Sequence, residues 1–525
     1  MRHQSLSFVA RIVTGKLTVA IVLKDSDNPS SGECRLLDAL RRDDRFETAL
    51  LSAGAPPATR VPAIIAAVLA VERTGLNLLR KTPAFSCATG PVLPLEKFAD
   101  LQPAPDVIVD FSGADAVETC AASVPFGMWR LDAYSDAAGL DAAFLGKGAT
   151  PVSLLRYPGN GQMPDTLARV VYDTKALAAM NVMYIQEKSV QLIEHELARL
   201  MIDPAQTGQA TADPPPAMPG TAALCRYLYL AVADICARSF RAMKSRMGLR
   251  PRMFTLRVGR GDFPDFDPAA SVEIMPPGNR YWADPFLFED NGEVFLFFED
   301  FDYGTGRGHI SVGRLDGTDF ELIGPAHSAP HHLSYPYVFR HGDDIFMMPE
   351  THQAGRIEIW RATGFPTGWE LYSTAMEGAG AVDCVLKEID GTWWLFANIC
   401  RDSFNGHCSE LHVFRTDGPA LTRIEPHRLN PVVIGADTAR GGGRVFDRDG
   451  RWYRCSQDNS GGVYGYALNI MEIEALDIDH YRERRVRHIT PDFAQDSSLN
   501  SNLRLIGCHH VDATQGLFVI DTRKP

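Results

Sequence analysis

Short apolar runs recur in pairs along the C-terminal half of the chain, and each pair is joined by a polar turn. The clearest pair begins with YWADPFLF at 281–288, turns at Asp290-Asn291-Gly292 and continues with VFLFF at 294–298. Two β-prone runs joined by Asn-Gly predict a β-hairpin. Four similar pairs follow, with turns at 342–344, 390–391, 449–450 and 515–516.

These hairpins recur at a distance typical of propeller blades. With residues 284, 336, 383, 443 and 510 as anchors, the spacings are 52, 47, 60 and 67 residues. Repeats of about 40–50 residues with several short strands each are the signature of a β-propeller, and longer spacings place the excess in loops. Five copies therefore predict a five-bladed β-propeller over residues 251–525.

The N-terminal region has a different pattern, in which apolar strands alternate with helices. Strands are predicted at 17–24, 46–51, 106–111 and 151–157, and helices at 34–41, 64–80 and 175–201. This alternation predicts an α/β domain with a mostly parallel sheet over residues 1–202. No GxGxxG follows the first strand, which argues against a dinucleotide-binding site.

The two regions are joined by a predicted linker and a predicted amphipathic helix. Residues 203–220 are rich in Pro, Ala, Gly and Thr, whereas residues 221–250 continue with helical periodicity. Between 221 and 252 there are seven basic residues and one acidic residue. A basic amphipathic helix at 221–247 can make peripheral contact with an anionic membrane. Alternatively, this helix braces the propeller against the first domain and its arginines are solvated.

Composition narrows the classes of function. The net charge of −13 over 525 residues argues against a nucleic-acid partner. Ten cysteines without a CxxC pair predict neither a zinc site nor a disulfide framework, and reduced cysteines suit a cytoplasmic protein. No stretch reaches the roughly 18 apolar residues of a membrane span. We therefore expect a cytoplasmic location, possible membrane association, no metal and no cofactor.

Propeller geometry predicts where the polar residues gather. The first strand of each blade lines the channel and the second runs antiparallel to it, so the start of strand one and the end of strand two meet at one mouth. The residues predicted there are Asp284, Glu299, Asp300, Tyr335, Glu350, Asp383, Asn398, Arg440, Gln457, Asp458 and His510. A ring of carboxylates, amides and cations suits a polyhydroxylated ligand, because sugars need many paired donors and acceptors.

From about residue 279 to its end, the chain resembles the N-terminal domain of glucosamine inositolphosphorylceramide transferase. The motifs that carry this resemblance are WADPFLFEDNGEVFLFFED, GRGHISV, HLSYPYVF, FMMPET, GTWWLFAN, LNPV, ARGGGRVF and SQDNSGGVYG. The resemblance implies a role in glycan or glycolipid metabolism. It implies no particular reaction, because in the plant protein glycosyl transfer is credited to a separate domain.

More distantly, the architecture resembles the five-bladed propellers of glycoside hydrolase families 43 and 32. That resemblance implies a base at Asp284, within Ala283-Asp284-Pro285, and an orienting carboxylate at Asp383. The later-blade Glu of those enzymes has no counterpart, and Glu350 is the best substitute acid. We expect these three to be catalytic, and the predicted substrate-binding residues are Trp282, Glu299, Tyr335, Asn398, Arg440, Gln457, Asp458 and His510.

Residues 15–200 resemble the formyltransferase-like domain in order and spacing. The Asn and His of that family's NxHPSLLP segment are both missing from FGMWRLDAYSD at 126–136. The resemblance therefore implies a domain that has kept the fold and lost the chemistry.

Together these observations predict a carbohydrate-active protein, preferably a glycosyltransferase-like enzyme of polysaccharide or glycolipid biosynthesis. Its substrates would be a sugar or nucleotide-sugar and a glycan or glycolipid acceptor. A non-catalytic glycan-binding or scaffold module, a glycoside hydrolase of the family 43/32 type and a sugar N-formyltransferase are the alternatives.

Overall fold

The computed structural model of the chain describes residues 15–54, 61–79, 87, 90–159, 161–204, 217–246, 253–494 and 505–524. The chain divides into two compact units. The first comprises residues 1–236 with 401–405, and the second comprises residues 237–400 with 406–525. Most of the predicted linker at 203–220 lies outside the described residues.

The first unit is an α/β domain built on a seven-stranded sheet. The strands are β1 (Leu17–Leu23), β2 (Phe46–Ser52), β3 (Leu93–Pro94), β4 (Val107–Asp110), β5 (Met128–Leu131), β6 (Ala149–Tyr157) and β7 (Asp165–Asp173). Their order is β3-β2-β1-β4-β5-β6-β7. The pairings from β3 to β5 are parallel, whereas β6 and β7 add antiparallel pairings. The predicted α/β class is confirmed, and the antiparallel edge makes the sheet mixed.

The α-helices in the described part of the chain are α1 (Ser31–Arg42), α2 (Ala63–Leu78), α3 (Asp115–Ala121), α4 (Leu140–Leu145), α5 (Ala178–Ile202) and α6 (Thr221–Arg246). Helix α1 begins at Ser30, whose side chain accepts from the amide of Glu33 while the Glu33 carboxylate caps the Ser30 amide. This capping box fixes where the helix starts. Among the described residues, no helix is long and apolar enough to cross a membrane.

One disulfide corrects the expectation from the cysteine pattern. Cys34, buried on α1, is bonded to Cys87, with their Cα atoms 5.3 Å apart and a sequence separation of 53. The prediction of no disulfide is therefore wrong. Two cysteines this far apart in the chain leave no local sequence pattern that would indicate their pairing. The other eight cysteines are free thiols. The cytoplasmic location, which was inferred from reduced cysteines, stays a prediction.

The second unit is a five-bladed β-propeller, as predicted. In chain order, its first strands are β8 (Phe254–Arg260) and β9 (Ser271–Ile274). Blade 1 follows with β10 (Arg280–Asp290), β11 (Glu293–Asp302), β12 (Arg307–Asp316) and β13 (Asp319–His327). Blade 2 has β14 (Ser334–His341), β15 (Asp344–Glu350), β16 (Ile357–Gly364) and β17 (Gly368–Ala375).

Blades 3 to 5 complete the ring. Blade 3 has β18 (Ala381–Ile389), β19 (Thr392–Ile399), β20 (Glu410–Thr416), β21 (Ile424–Pro426) and a short β22 (Val433–Ile434). Blade 4 has β23 (Gly441–Arg448), β24 (Arg451–Asp458), β25 (Ala467–Leu476) and β26 (Tyr481–Ile489). Blade 5 has β27 (Val511–Thr514) and β28 (Leu517–Arg523), followed in space by β8 and β9.

The fifth blade is therefore assembled from both ends of the propeller sequence. Strand β28 pairs with β27 on one side and antiparallel with β8 on the other, so that Phe518 lies opposite Gly259. This shared blade explains why the last hairpin is the weakest repeat in sequence. Its two outer strands come from about 250 residues earlier in the chain.

Turn chemistry at the hairpins agrees with the sequence pattern. Asn291 and Gly292 have φ of 53° and 84°, and Asp390-Gly391, Asp449-Gly450 and Gln515-Gly516 also combine two positive φ values. Such turns have a twist that matches the flanking strands.

The closing contact between Phe518 and Gly259 generates a prediction for stability. A Cβ built on Gly259 would lie 2.4 Å from Cε1 of Phe518, a fully buried ring. We expect Gly259→Ala to lower the free energy of unfolding by about 1–3 kcal/mol, because the ring must shift in a packed core. Gly278→Ala is the matched control, since nothing lies within 4 Å of its Cβ. Chemical denaturation of both variants measures the effect, and equal stabilities would contradict it.

Candidate functional site

Three blades present a polar side chain at one mouth through the same backbone irregularity. Asp284, Tyr335 and Asp383 have φ of 50°, 47° and 49°, near the start of strand one in blades 1, 2 and 3. At each position the register of the hairpin shifts, which marks a β-bulge. Left-handed backbone is costly for these residue types and tends to occur at functional sites. The repeated bulge indicates that this mouth is a built site.

Four carboxylates and an arginine meet at this mouth. Nε of Arg440 lies 2.5 Å from Oδ2 of Asp383, and its Nη2 lies 4.0 Å from Oε2 of Glu350. Glu350 also interacts electrostatically with Asp383 and Asp284. Glu299 interacts with both Asp284 and Glu350. The structure thus brings together the three predicted catalytic residues, and their roles stay predictions.

Burial of this acidic group changes its protonation. Burial raises the pKa of Asp284 to about 7, with further increases from Asp383 and Asp521, while His509 and Arg440 oppose them. Burial also raises the pKa of Glu350 well above its usual value, assisted by Asp383. The pKa of Glu299 is raised by burial and then by Asp284. Carboxyl groups that hold protons near neutral pH beside ionised ones suit acid and base roles.

The sequence analysis missed His509, whose ring lies between two carboxylates. Its Nε2 is 3.4 Å from Oδ1 of Asp284, and its Nδ1 is 2.6 Å from Oδ2 of Asp521. Burial opposes protonation, but Asp521 and then Asp284 raise the pKa of His509 overall. Asp521 also accepts from the amides of Asp284, His509 and His510. The Asp521–His509 pair therefore holds Asp284 in place.

His510, the predicted ligand contact, lies deeper in the channel. Its ring is fully buried, and its centroid is 4.5 Å from that of Phe286 and 5.0 Å from that of Tyr335. Burial lowers the pKa of His510 to about 3, so the ring is neutral. Neighbouring residues of an extended chain point to opposite sides, which is why only one of the two histidines contacts Asp284.

Three predicted substrate-binding residues instead hold the glycines of blade 4. The Tyr335 hydroxyl donates to the carbonyl of Gly443 and accepts from its amide. Asn398 accepts from the amide of Gly441, and Gln457 donates to its carbonyl. These contacts position the strand that begins next to Arg440. The roles of Tyr335, Asn398 and Gln457 as ligand contacts stay predictions.

Three further predicted residues lie in settings that differ from the expectation. Trp282 is 3% exposed and packs against Phe298 and Phe320 in the core, so the structure does not support its predicted contact with substrate. Asp458 binds Ser460 and His488, whose hydrogen bonds outweigh burial and lower its pKa. Asp300 is paired with Arg280.

Tyr464 is a better aromatic candidate that the sequence analysis did not single out. It belongs to the SQDNSGGVYG motif, is 40% exposed and lies under the Arg440 guanidinium at 5.6 Å. An exposed ring beside a charged polar group is the usual setting for sugar stacking. The sequence offered one indication of this role, namely that Tyr464 lies in a conspicuous motif outside the predicted strands.

A neighbouring set of atoms has the composition of a cation site. Oxygens of Asp284 and Asp521 and a ring nitrogen of His509 lie within 4.8 Å of one another. Carboxylate oxygen and imidazole nitrogen are common metal ligands. His509 and Asp521 use the same atoms for their ion pair, which would compete with binding of a cation. The set combines residues from three separate segments of the propeller, namely β10, β28 and the segment that precedes β27.

The fold and the mouth define a five-bladed propeller with a buried acidic site. Comparison with known proteins refines this class. Residues 267–517 match the family model described as "Glucosamine inositolphosphorylceramide transferase 1, N-terminal". The predicted resemblance of the propeller region to that domain is confirmed.

Curated relatives with this name occur in plants. The protein named glucosamine inositolphosphorylceramide transferase 1 of Oryza sativa subsp. japonica is 35% identical over 251 residues, which are 47% of this chain and 33% of the relative. The protein of that name in Arabidopsis thaliana is 32% identical over 243 residues, 45% of this chain and 31% of the relative. The chain thus spans about a third of the length of the curated relatives it matches.

Solved structures with a similar fold include carbohydrate-active enzymes. A family 117 glycoside hydrolase produced by the marine bacterium Zobellia galactanivorans has a TM-score of 0.33 and 12% identity, with coverage of 52% of this chain and 91% of that one. A family 43 enzyme of Bacteroides ovatus has a TM-score of 0.35 and 15% identity, with coverage of 50% and 49%. Likeness at this level carries no argument about activity.

The raised pKa of Asp284 predicts how stability depends on pH. The folded protein holds a proton on this carboxyl that the unfolded chain releases at about pH 4, so the Asp284 contribution is lost as pH rises towards 7. We expect Asp284→Asn to reduce the loss of stability between about pH 4.5 and 7.5 by a few kcal/mol. Denaturant titrations at both pH values measure it. Asp319→Asn, at an exposed position, is the control. If stability changes with pH to the same extent in the wild type, in Asp284→Asn and in Asp319→Asn, the prediction is wrong.

Proposed function

We propose that the protein is a glycosyltransferase-like enzyme in glycolipid or polysaccharide synthesis and that its acidic mouth binds the reacting sugar. The observation that supports this most strongly is the cluster of Asp284, Glu350, Asp383 and Arg440 around one opening. The names of the plant relatives support a glycolipid acceptor. The sugar donor would be a nucleotide-sugar or a related activated sugar.

The proposed roles follow from the charges around each carboxyl group. Asp284 accepts a proton, because a pKa of about 7 leaves a large ionised fraction just above neutrality. Glu350 donates a proton, because burial and the Asp383 charge keep it protonated. Asp383, paired with Arg440, orients both groups. His509 and Asp521 keep Asp284 aligned.

A non-catalytic glycan-binding or scaffold module is the second candidate. It is favoured by the number of polar side chains at the mouth that are already bound to backbone, as for Asn398 and Gln457. Such a module would use the exposed ring of Tyr464 and the charged groups for binding alone. Hydrolysis and sugar N-formyl transfer remain as further alternatives that the same assays separate.

Turnover with a panel of nucleotide-sugars and lipid or glycan acceptors tests the catalytic proposal. We expect Asp284→Asn and Glu350→Gln each to lower kcat by roughly a hundredfold or more, because each removes a proton-transfer group. Exposed Asp319→Asn should retain activity. Glycan binding without turnover in the wild type, or equal rates in all variants, would favour the binding module. Release of free sugar instead of transfer would favour hydrolysis.

We also propose that helix α6 makes the peripheral membrane contact predicted at 221–247. Its described apolar side chains include Leu228, Tyr229, Val232, Phe240 and Met243, which are 47–73% exposed. Exposed apolar surface on a basic helix suits an anionic bilayer. The bracing role of this helix is the alternative.

Liposome flotation distinguishes these roles of α6. We expect the protein to float with vesicles containing anionic lipid and to do so less with neutral vesicles, because the helix is basic. The double variant Val232→Ser, Phe240→Ser should lose flotation by roughly tenfold, since each substitution removes apolar area that the bilayer would bury. The matched control is Val272→Ser on β9, which is also exposed. Wild-type protein that floats with neither vesicle would end the proposal.

A further inference from the structure

Three of the strands that begin at the acidic mouth carry a basic side chain further along. Strand β14 begins near Tyr335 and carries Arg340 next to its last residue, and β18 begins near Asp383 and continues to Lys387. Strand β23 likewise follows Arg440 and includes Arg444. Because strand one of each blade runs from mouth to mouth, these cations lie at the opposite opening, together with the carboxylates Glu289 and Asp290 at the end of β10. We call this opening the basic mouth.

An aromatic layer separates the two mouths. Phe286 lies 5.0 Å from Tyr335, 5.6 Å from Tyr337 and 4.5 Å from His510, measured between ring centroids. All four side chains are at most 3% exposed. A ligand at the basic mouth therefore occupies a different site from a sugar at the acidic mouth.

The basic mouth contains an open cavity of about 560 Å³. Its lining includes the cationic side chains of Arg340, Lys387 and Arg444, the exposed carboxylates of Glu388 and Asp390, and the aromatic rings of Phe288 and Trp393. Cavities of roughly 300–1,000 Å³ are the size that small ligands use. The cavity is thus large enough for a small molecule with one charged group and one ring.

The three cations of this cavity differ in whether a carboxylate is paired with them. Arg444 is paired with the fully buried Asp512, and Arg340 lies 2.5 Å from Asp290. Among the described residues, by contrast, no carboxylate lies within ion-pair distance of Lys387, whose ammonium is 5.4 Å from the Trp452 ring centroid. Burial and then Arg444 lower the pKa of Lys387. Asp447 and Glu388 favour the charged form but do not outweigh these two effects. A half-buried ammonium beside a guanidinium is costly unless an anion joins them.

We propose that the basic mouth is a binding site for a phosphate ester, with the phosphate between Lys387 and Arg444 and its organic group against Trp393. Phosphate supplies several charge-assisted acceptors, and Arg and Lys are its usual partners. Trp393 is half-buried and has its edge-on neighbour, His341, on the cavity lining. The remaining aromatic surface offers a stacking face for a sugar or nucleobase ring.

Calorimetric titration of the full chain with inorganic phosphate, glucose 1-phosphate and uridine diphosphate tests this site. We expect saturable binding of at least the phosphate group at low salt, weakening as salt rises. Lys387→Met should weaken binding roughly tenfold or more, since it removes a charged donor and keeps the apolar stem. Lys387→Arg should retain binding. If the two esters bind more tightly than inorganic phosphate, the organic group also contacts the site, as proposed for Trp393. If all three bind equally, the site recognises the phosphate group alone, and the proposed contact with Trp393 is wrong.

Two controls separate this site from general charge and from the acidic mouth. Arg482→Met removes an exposed cation of β26 that is 70% exposed, and it should leave the phosphate affinity unchanged. Asp383→Asn alters the acidic mouth and should also leave it unchanged, so a failure of the proposed enzymatic function would not affect this result. No saturable binding of any probe would overturn the proposal. So would equal losses in Lys387→Met and Arg482→Met, or a loss only in Asp383→Asn.

Discussion

The pairing of β28 with β8 is the interaction on which the second unit depends. It joins the C-terminal strand to the first strand of the propeller and so closes five separate sheets into one ring. The same strand carries Asp521, whose carboxylate binds the amides of Asp284, His509 and His510. Closure and site assembly are therefore one event, because without β28 the first blade has no partner to hold Asp284.

The acidic mouth shows the usual conflict between function and stability. Several carboxyl groups are buried together, and burial is the largest cause that raises the pKa of Asp284, Glu299 and Glu350. Arg440 and His509 offset part of the repulsion. Left-handed backbone at Asp284 and Asp383 adds a further cost. An arrangement this unfavourable is easier to understand as a site that uses protons than as a structural element.

The channel has a polar mouth at each of its two ends. Strand β18 carries Asp383 near its start and Lys387 near its end, and an aromatic layer lies between the two mouths. Because both mouths are built on the same strands, a change of register in one strand would alter both sites. The repeated bulges near the strand starts fix that register.

The sequence by itself determined the fold class, the five hairpins and the group of residues at one mouth. Alternation of apolar and polar positions and the Asn-Gly and Asp-Gly turns are local signals, so they survive in a single sequence. Only the tertiary structure decided that β8 completes the last blade, that His509 rather than His510 contacts Asp284, and that Cys34 meets Cys87. It also placed Trp282 in the core and Lys387 in a separate cavity. These outcomes depend on strand register, on bulges and on contacts between segments far apart in the chain, none of which leaves a periodic signal.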